Sequence, residues 1–144
     1  MNVNEYLTNS LIPIRLACIN TEGYPITMSL WYIYLKEKFL CATGKNSRII
    51  GYLSSNPKCG FEVASDLPPY QGVRGWGNAK LDKVRGVEIL DVLIRKYLRD
   101  QESSLADFLR KRSKNEMAIE ITPTSIFSYD YTDRMRGIIV NKNL

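Results

Sequence analysis

"IRLACINTEGYPITMSLWYIYLKEKFLCAT", Ile14 to Thr43, decides how this chain folds. Ile14–Asn20 is apolar and strand-like, and "TEGYP" after it carries the glycine and proline of a turn. Ile26–Leu35 reads as a second, longer strand, "KEK" as a polar turn, and Phe39–Thr43 as a third strand. Turns this tight join antiparallel neighbours, because a parallel crossover needs a dozen or more residues. The spacing predicts a meander rather than a βαβ unit.

On the second strand side chains alternate, so Trp31 shares a face with Ser29 and Ile33 while Tyr32 and Tyr34 share the other. A strand apolar on both faces must bury both. In a barrel one face looks inward and the other needs a partner, and the expectation is a homodimer.

Outward from the meander, Val3–Leu11 fits a short helix capped by Asn2 or Asn4. Ser47 fits the cap of a helix running to about Ser54. Cys59–Ala64 is a fourth strand, and Gly72–Leu81 a fifth whose glycines signal a bulge or the close approach of something flat. From Gly86 to Arg99, Leu90, Leu93, Ile94, Tyr97 and Leu98 recur at helical spacing. Ser104–Arg112 is a shorter helix, and the last strand, Met117–Tyr131, is interrupted at Pro123 and so is kinked or at an edge. Residues 1–144 thus read as one mainly β domain, a six-stranded antiparallel barrel with peripheral helices.

The net charge of +5 favours anionic partners. The chain has no histidine, which removes Ser-His and Cys-His hydrolases, histidine-ligated haem and most zinc catalysis. Any demanding chemistry then belongs to a cofactor. Cys18, Cys41 and Cys59 sit in apolar, strand-like contexts and read as reduced. The first ten residues lack a cationic head before an apolar core, and "LWYIYL" is too short to span a bilayer. A cytoplasmic protein without membrane contact is expected.

The third strand runs into "CATGKNSRI", which gathers Thr43, Lys45, Ser47 and Arg48 with no acidic residue among them. It is no P-loop, because Asn46 follows Lys45 and Phe39 stands where the first glycine belongs. "GWGNAK" is no dinucleotide fingerprint, since Lys80 replaces the third small residue. The stretch has the makings of an anion cradle: hydroxyl donors, a guanidinium fork and a mobile ammonium at a helix start. The same residues also serve an ordinary turn and cap. The basic run "RKRSK", Arg110–Lys114, reads as a solvated helix end, because no aromatic platform is interleaved for nucleic acid.

In order along the chain, "GYP" (Gly23–Pro25), "TMSLWY" (Thr27–Tyr32), "TGKNSR" (Thr43–Arg48), "NPKCGFEV" (Asn56–Val63), "GVRGWGNAKL" (Gly72–Leu81) and "ITPTSIFSYDY" (Ile121–Tyr131) form one set. Together they resemble the flavin-binding split barrels related to pyridoxamine 5′-phosphate oxidase. The resemblance implies a homodimer with FMN at the subunit interface. It places the backbone of Met28, Ser29, Leu30 and Trp31 along the isoalloxazine ring. Thr43, Ser47 and Arg48 would hold the phosphate with Lys45 nearby, and Gln71 adjoins a position from which relatives reach the flavin. Departures are Ile49 where many relatives carry lysine after the arginine, Tyr32 where a basic residue is frequent, and Gly72 where glutamine is frequent.

The chain ends at "RMRGIIVNKNL", without the arginine-bearing segment of true pyridoxamine phosphate oxidases, so vitamin B6 chemistry is not expected. The resemblance implies an FMN-dependent oxidoreductase for an unidentified small molecule, a deazaflavin being the alternative cofactor. The competing classes are a non-catalytic flavin carrier or sensor and a basic nucleic-acid-binding scaffold without cofactor.

Overall fold

The two antiparallel turns form, but the meander does not: its hairpins stand at opposite edges of the sheet. In the computed structural model, which describes residues 1–99 and 104–136, β1 (Ile14–Ile19) turns into β2 (Pro25–Leu30), and the chain then leaves the sheet for Trp31 and Tyr32. It resumes as β3 (Ile33–Leu35) and turns into β4 (Lys38–Gly44). The expected ten-residue strand is therefore two, and the sheet has seven strands, not six. Nothing in the apolar run marks the break. Its cause is topological: the strand order is β2-β1-β5-β6-β7-β4-β3, where β5 is Lys58–Ala64, β6 Gln71–Asp82 and β7 Glu116–Asp130.

β2 and β3 are the two edges of that sheet, yet Leu30 and Ile33 are only three residue steps apart. Three trans peptides span at most about 11 Å. The edges must therefore be drawn together, and the all-antiparallel sheet curls into a barrel left open at this seam.

Alternation fills the interior. Ile14, Leu16 and Cys18 of β1 and Cys59, Phe61 and Val63 of β5 point inward with Phe39, Cys41, Ile119 and Ile121. Tyr32 is fully buried among them, and its hydroxyl donates to the Leu7 carbonyl at 2.8 Å. Leu7 belongs to α1 (Val3–Asn9), whose N-cap Asn2 accepts from the Glu5 N–H as expected. The hydroxyl thus ties this helix to the barrel.

Trp31 and Ile33 turn the other way, as alternation requires. They pack against Ile89 and Leu93 of α3 (Gly86–Leu98). The second apolar face of the crossover is therefore covered by this chain's own helix, so that face gives no argument for a dimer. Beyond α3 come α4 (Ser104–Lys111) and a single turn of tight helix at 113–115.

The glycines of β6 are explained within the chain. A Cβ on Gly75 would lie 2.1 Å from the Ser125 carbonyl, and one on Gly77 2.1 Å from that of Thr122. Close β6–β7 contact, not a flat ligand, requires them. The register shifts between Trp76 and Gly77, where Pro123 lies opposite, so the bulge expected from sequence is present. Pro123 also lies past Ile121, where the β4 ladder ends, and so needs no partner on that side. Of the C-terminal "RMRGIIVNKNL", residues 137–144 lie outside the described residues.

Candidate functional site

The crossover that draws the two sheet edges together also makes a cleft of about 380 Å³. One wall is Ser29 and Leu30 of β2 with Trp31, and a second is Ala42, Thr43 and Gly44 at the end of β4. Leu90 and Leu93 of α3 with Leu105 and Leu109 of α4 supply an apolar side, and Glu116 completes it. Because β2 is an edge strand, alternate N–H and C=O groups on its free side lack ladder partners.

At the Thr43 end the chain turns into α2 (Arg48–Ser55). The turn is held by backbone alone, with the Lys45 N–H donating to Asn115 O at 2.7 Å and the Ser47 N–H to Gly44 O at 2.9 Å. Ser47 occupies the N-cap, as expected, but its side chain makes no capping hydrogen bond. Its hydroxyl instead lies 3.4 Å from that of Thr43. Lys45 and Arg48 are exposed and take part in no ion pair among the described residues. No acidic residue stands in the first turn of α2. The Thr43 hydroxyl donates to Ser47 Oγ, the Lys45 and Arg48 cations lie nearby in sequence, and the Glu116 carboxyl stands on the strand opposite Gly44.

Of the residues singled out from sequence, Ser29, Leu30, Trp31 and Thr43 therefore line one cleft, Ser47 touches it through its contact with Thr43, and Lys45 and Arg48 are not among its lining residues. Met28 packs its side chain into the barrel and has only backbone to offer. Gln71 is elsewhere. It pairs with Asp130 of β7, whereas Thr43 pairs with Met117, thirteen residues back along the same strand. That is roughly 40 Å of strand at about 3.3 Å per residue. Tyr129, Asp130 and Tyr131 lie at the Gln71 end, with the Tyr129 hydroxyl donating to Glu62 at 2.9 Å.

Two cleft features were not read from sequence. Burial holds the Glu116 carboxyl above the usual carboxylate range, an effect partly opposed by Arg112. The leucines of α4 reach the cleft only because of how that helix is docked. The helix itself was legible, but where it docks was not.

A larger depression, about 610 Å³, lies away from this cleft and involves Ala17, Cys18, Cys59, Gly60 and Trp76. Asn56, Lys58, Asn78 and Thr124 line it as well. Trp76 is 54% exposed, and its ring meets Phe127, 43% exposed, edge-on at 6.4 Å between centroids. Arg74 pairs with Glu62 at 3.2 Å and covers the Tyr129 ring at 4.0 Å, yet its Nε is buried without a hydrogen-bond partner. An apolar centre with a charged margin is the anatomy of a protein interface.

No protein-family model matches the sequence, and no curated protein does. Solved structures do match. An F420 reductase superposes with a TM-score of 0.68 at 17% identity, covering 88% of this chain and 98% of that one. HutZ, the haem storage protein of Vibrio cholerae, gives 0.67 at 12% identity over 88% and 94%. An FAD-binding protein of Mesorhizobium loti gives 0.64 at 15% identity over 88% and 91%. This chain is a split barrel. The fold is the one its sequence resemblance implies. These three proteins are an F420 reductase, a haem storage protein and an FAD-binding protein, so a split barrel by itself does not choose a cofactor.

Proposed function

We propose that this split barrel binds FMN and acts as a cytoplasmic, flavin-dependent oxidoreductase on a small molecule. One observation carries the reading: the free edge of β2 meets, at a single cleft, Thr43, whose hydroxyl donates to that of Ser47 at the start of α2. The residues fit the group. Backbone from Met28 to Trp31 would meet the polar edge of the ring. Thr43, Ser47 and Arg48 would hold the phosphate, with Lys45 as a mobile charge.

A bound flavin supplies two-electron chemistry, which suits a chain without histidine. The protein's part is to orient the ring on β2 and to keep water away with Leu90, Leu93, Leu105 and Leu109. Glu116, with its raised affinity for a proton, is the one carboxyl lining the cleft among the described residues.

The working form in this reading is a homodimer formed through the Trp76–Phe127 face. Gln71, distant from the cleft along β7, would then reach a flavin only from a second copy. An F420-type deazaflavin is the second reading, favoured by the likeness to the F420 reductase. The test is the absorption spectrum of the protein after incubation with FMN, with the released cofactor identified by mass. Bound-flavin bands support the proposal. A colourless protein that takes neither FMN nor F420 overturns it.

A further inference from the structure

The crossover at Trp31–Tyr32 is gripped by two consecutive residues of α3. Lys96 Nζ donates to the Tyr32 carbonyl at 2.8 Å and sits 4.2 Å above the Tyr32 ring. The Tyr97 hydroxyl accepts from the Tyr32 N–H at 3.3 Å. The Tyr97 ring lies parallel to that of Trp31, at 5.0 Å between centroids and 6° between planes. Trp31 is in turn a wall of the cleft. One short chain of contacts therefore runs from the Lys96 amine to the ligand surface.

That amine has no carboxylate partner among the described residues. The titratable groups facing it are the phenols of Tyr32 and of Tyr97 on its own helix and, from β4, the fully buried Cys41 thiol. Burial lowers its pKa to about 8, with Cys41 opposing weakly. As an ammonium it makes a charge-assisted bond and a cation–π contact; as an amine it keeps one ordinary donor.

We propose that Lys96 is a positioning residue for the cleft: its ammonium, seated on the Tyr32 carbonyl, fixes Trp31 against Tyr97 and so sets the wall on which the ligand lies. The ligand half of this inference rests on the flavin reading above; the Trp31 half does not.

The test is made on the full chain carrying Trp76→Phe, so that Trp31 is the only tryptophan. Its fluorescence is followed from pH 6.5 to 9.5. A titration centred near pH 8 is expected, and with Lys96→Arg, which stays charged, the trace is flat while the fold is kept. A trace that is flat with Lys96, or that titrates equally with Lys96→Arg, overturns the proposal.

FMN affinity is then measured at pH 7 and pH 9 on the protein that keeps Trp76. A group half-titrated near 8 is about ten-elevenths protonated at the first and about one-eleventh at the second, so roughly tenfold weakening is expected, abolished by Lys96→Arg. Equal affinity at both values overturns the ligand half. Absence of FMN binding at any pH overturns the flavin reading alone, because the fluorescence arm has already decided the role of Lys96.

Discussion

The Thr43 hydroxyl stands 3.4 Å from that of Ser47, and the Ser47 side chain does not cap the helix it precedes. A cap would be a structural reason for Ser47; its absence leaves the hydroxyl available to a ligand. Ser47→Ala with Arg48→Ala should weaken FMN by at least about 2 kcal/mol, since both bonds are charge-assisted. The stability of the unliganded protein should change by less than about 0.5 kcal/mol. Titration calorimetry and a urea melt measure the two quantities. Unchanged FMN affinity would move the phosphate elsewhere.

Two glycines of β6 make a sharper test of what that strand is for. A methyl group on Gly77 or Gly75 points into a β7 carbonyl 2.1 Å away, and backbone cannot yield cheaply. Gly77→Ala should cost more than about 2 kcal/mol in urea unfolding, as an overpacked core site does. Gly60→Ala, whose nearest neighbours are 3.8 Å away, should be close to neutral. If Gly77→Ala instead folds normally and loses only ligand, the glycines serve the ligand after all.

Much of the fold was legible because turns and periodicity are local. The "TEGYP" and "KEK" turns, the Asn2 cap and the buried stripe of α3 needed no tertiary knowledge. The division of Ile26–Leu35 did need it. An apolar run without proline or glycine carries no sign that its halves join opposite sheet edges, and only the strand order reveals that. Thr43 and Ser29 were legible as candidates, while their meeting was not. Lys96 was invisible for a related reason. In "IRKYL" it reads as an exposed helical lysine, and its burial depends on where α3 docks.

The β3–β4 turn is built from residues that suit it poorly. Leu35 pairs with Lys38, and the two residues between, Lys36 and Glu37, have φ of 52° and 61°. Left-handed backbone costs an ordinary side chain about 1–2 kcal/mol, and Asn-Gly adopts it readily. Lys36→Asn with Glu37→Gly should therefore stabilise the protein by about 1 kcal/mol after the glycine's unfolded-state entropy is counted. A lower denaturation midpoint in the double variant would show that the side chains of Lys36 and Glu37 matter more than their backbone.

The Trp76–Phe127 face predicts the oligomeric state. Trp76 is 54% exposed beside Phe127, 43% exposed, and a second copy across a twofold axis would cover both rings. Sedimentation equilibrium should give a dimer at micromolar concentration. Trp76→Ala should weaken association by at least about 2 kcal/mol, as truncation of a central aromatic anchor does. A wild-type monomer at all accessible concentrations would leave Gln71 without a flavin to reach.

Lys96 also predicts how stability follows pH, and the sign is fixed by direction alone. Its folded pKa, about 8, lies below the ordinary lysine value, so between the two the unfolded chain binds the extra proton. Stability contributed by this site therefore rises with pH from about 8 to about 10.4, and is fully present only above that range. Below 8 both states are charged and the buried ammonium carries its full desolvation cost. Lys96→Met removes the titration while keeping an unbranched side chain. Urea unfolding of the two proteins at pH 7.5, 9 and 10 should show the lysine form gaining on the methionine form at each step, with other titrating groups cancelling in the difference. A constant difference across the three values would mean that Lys96 is as well solvated in the folded protein as in the unfolded one.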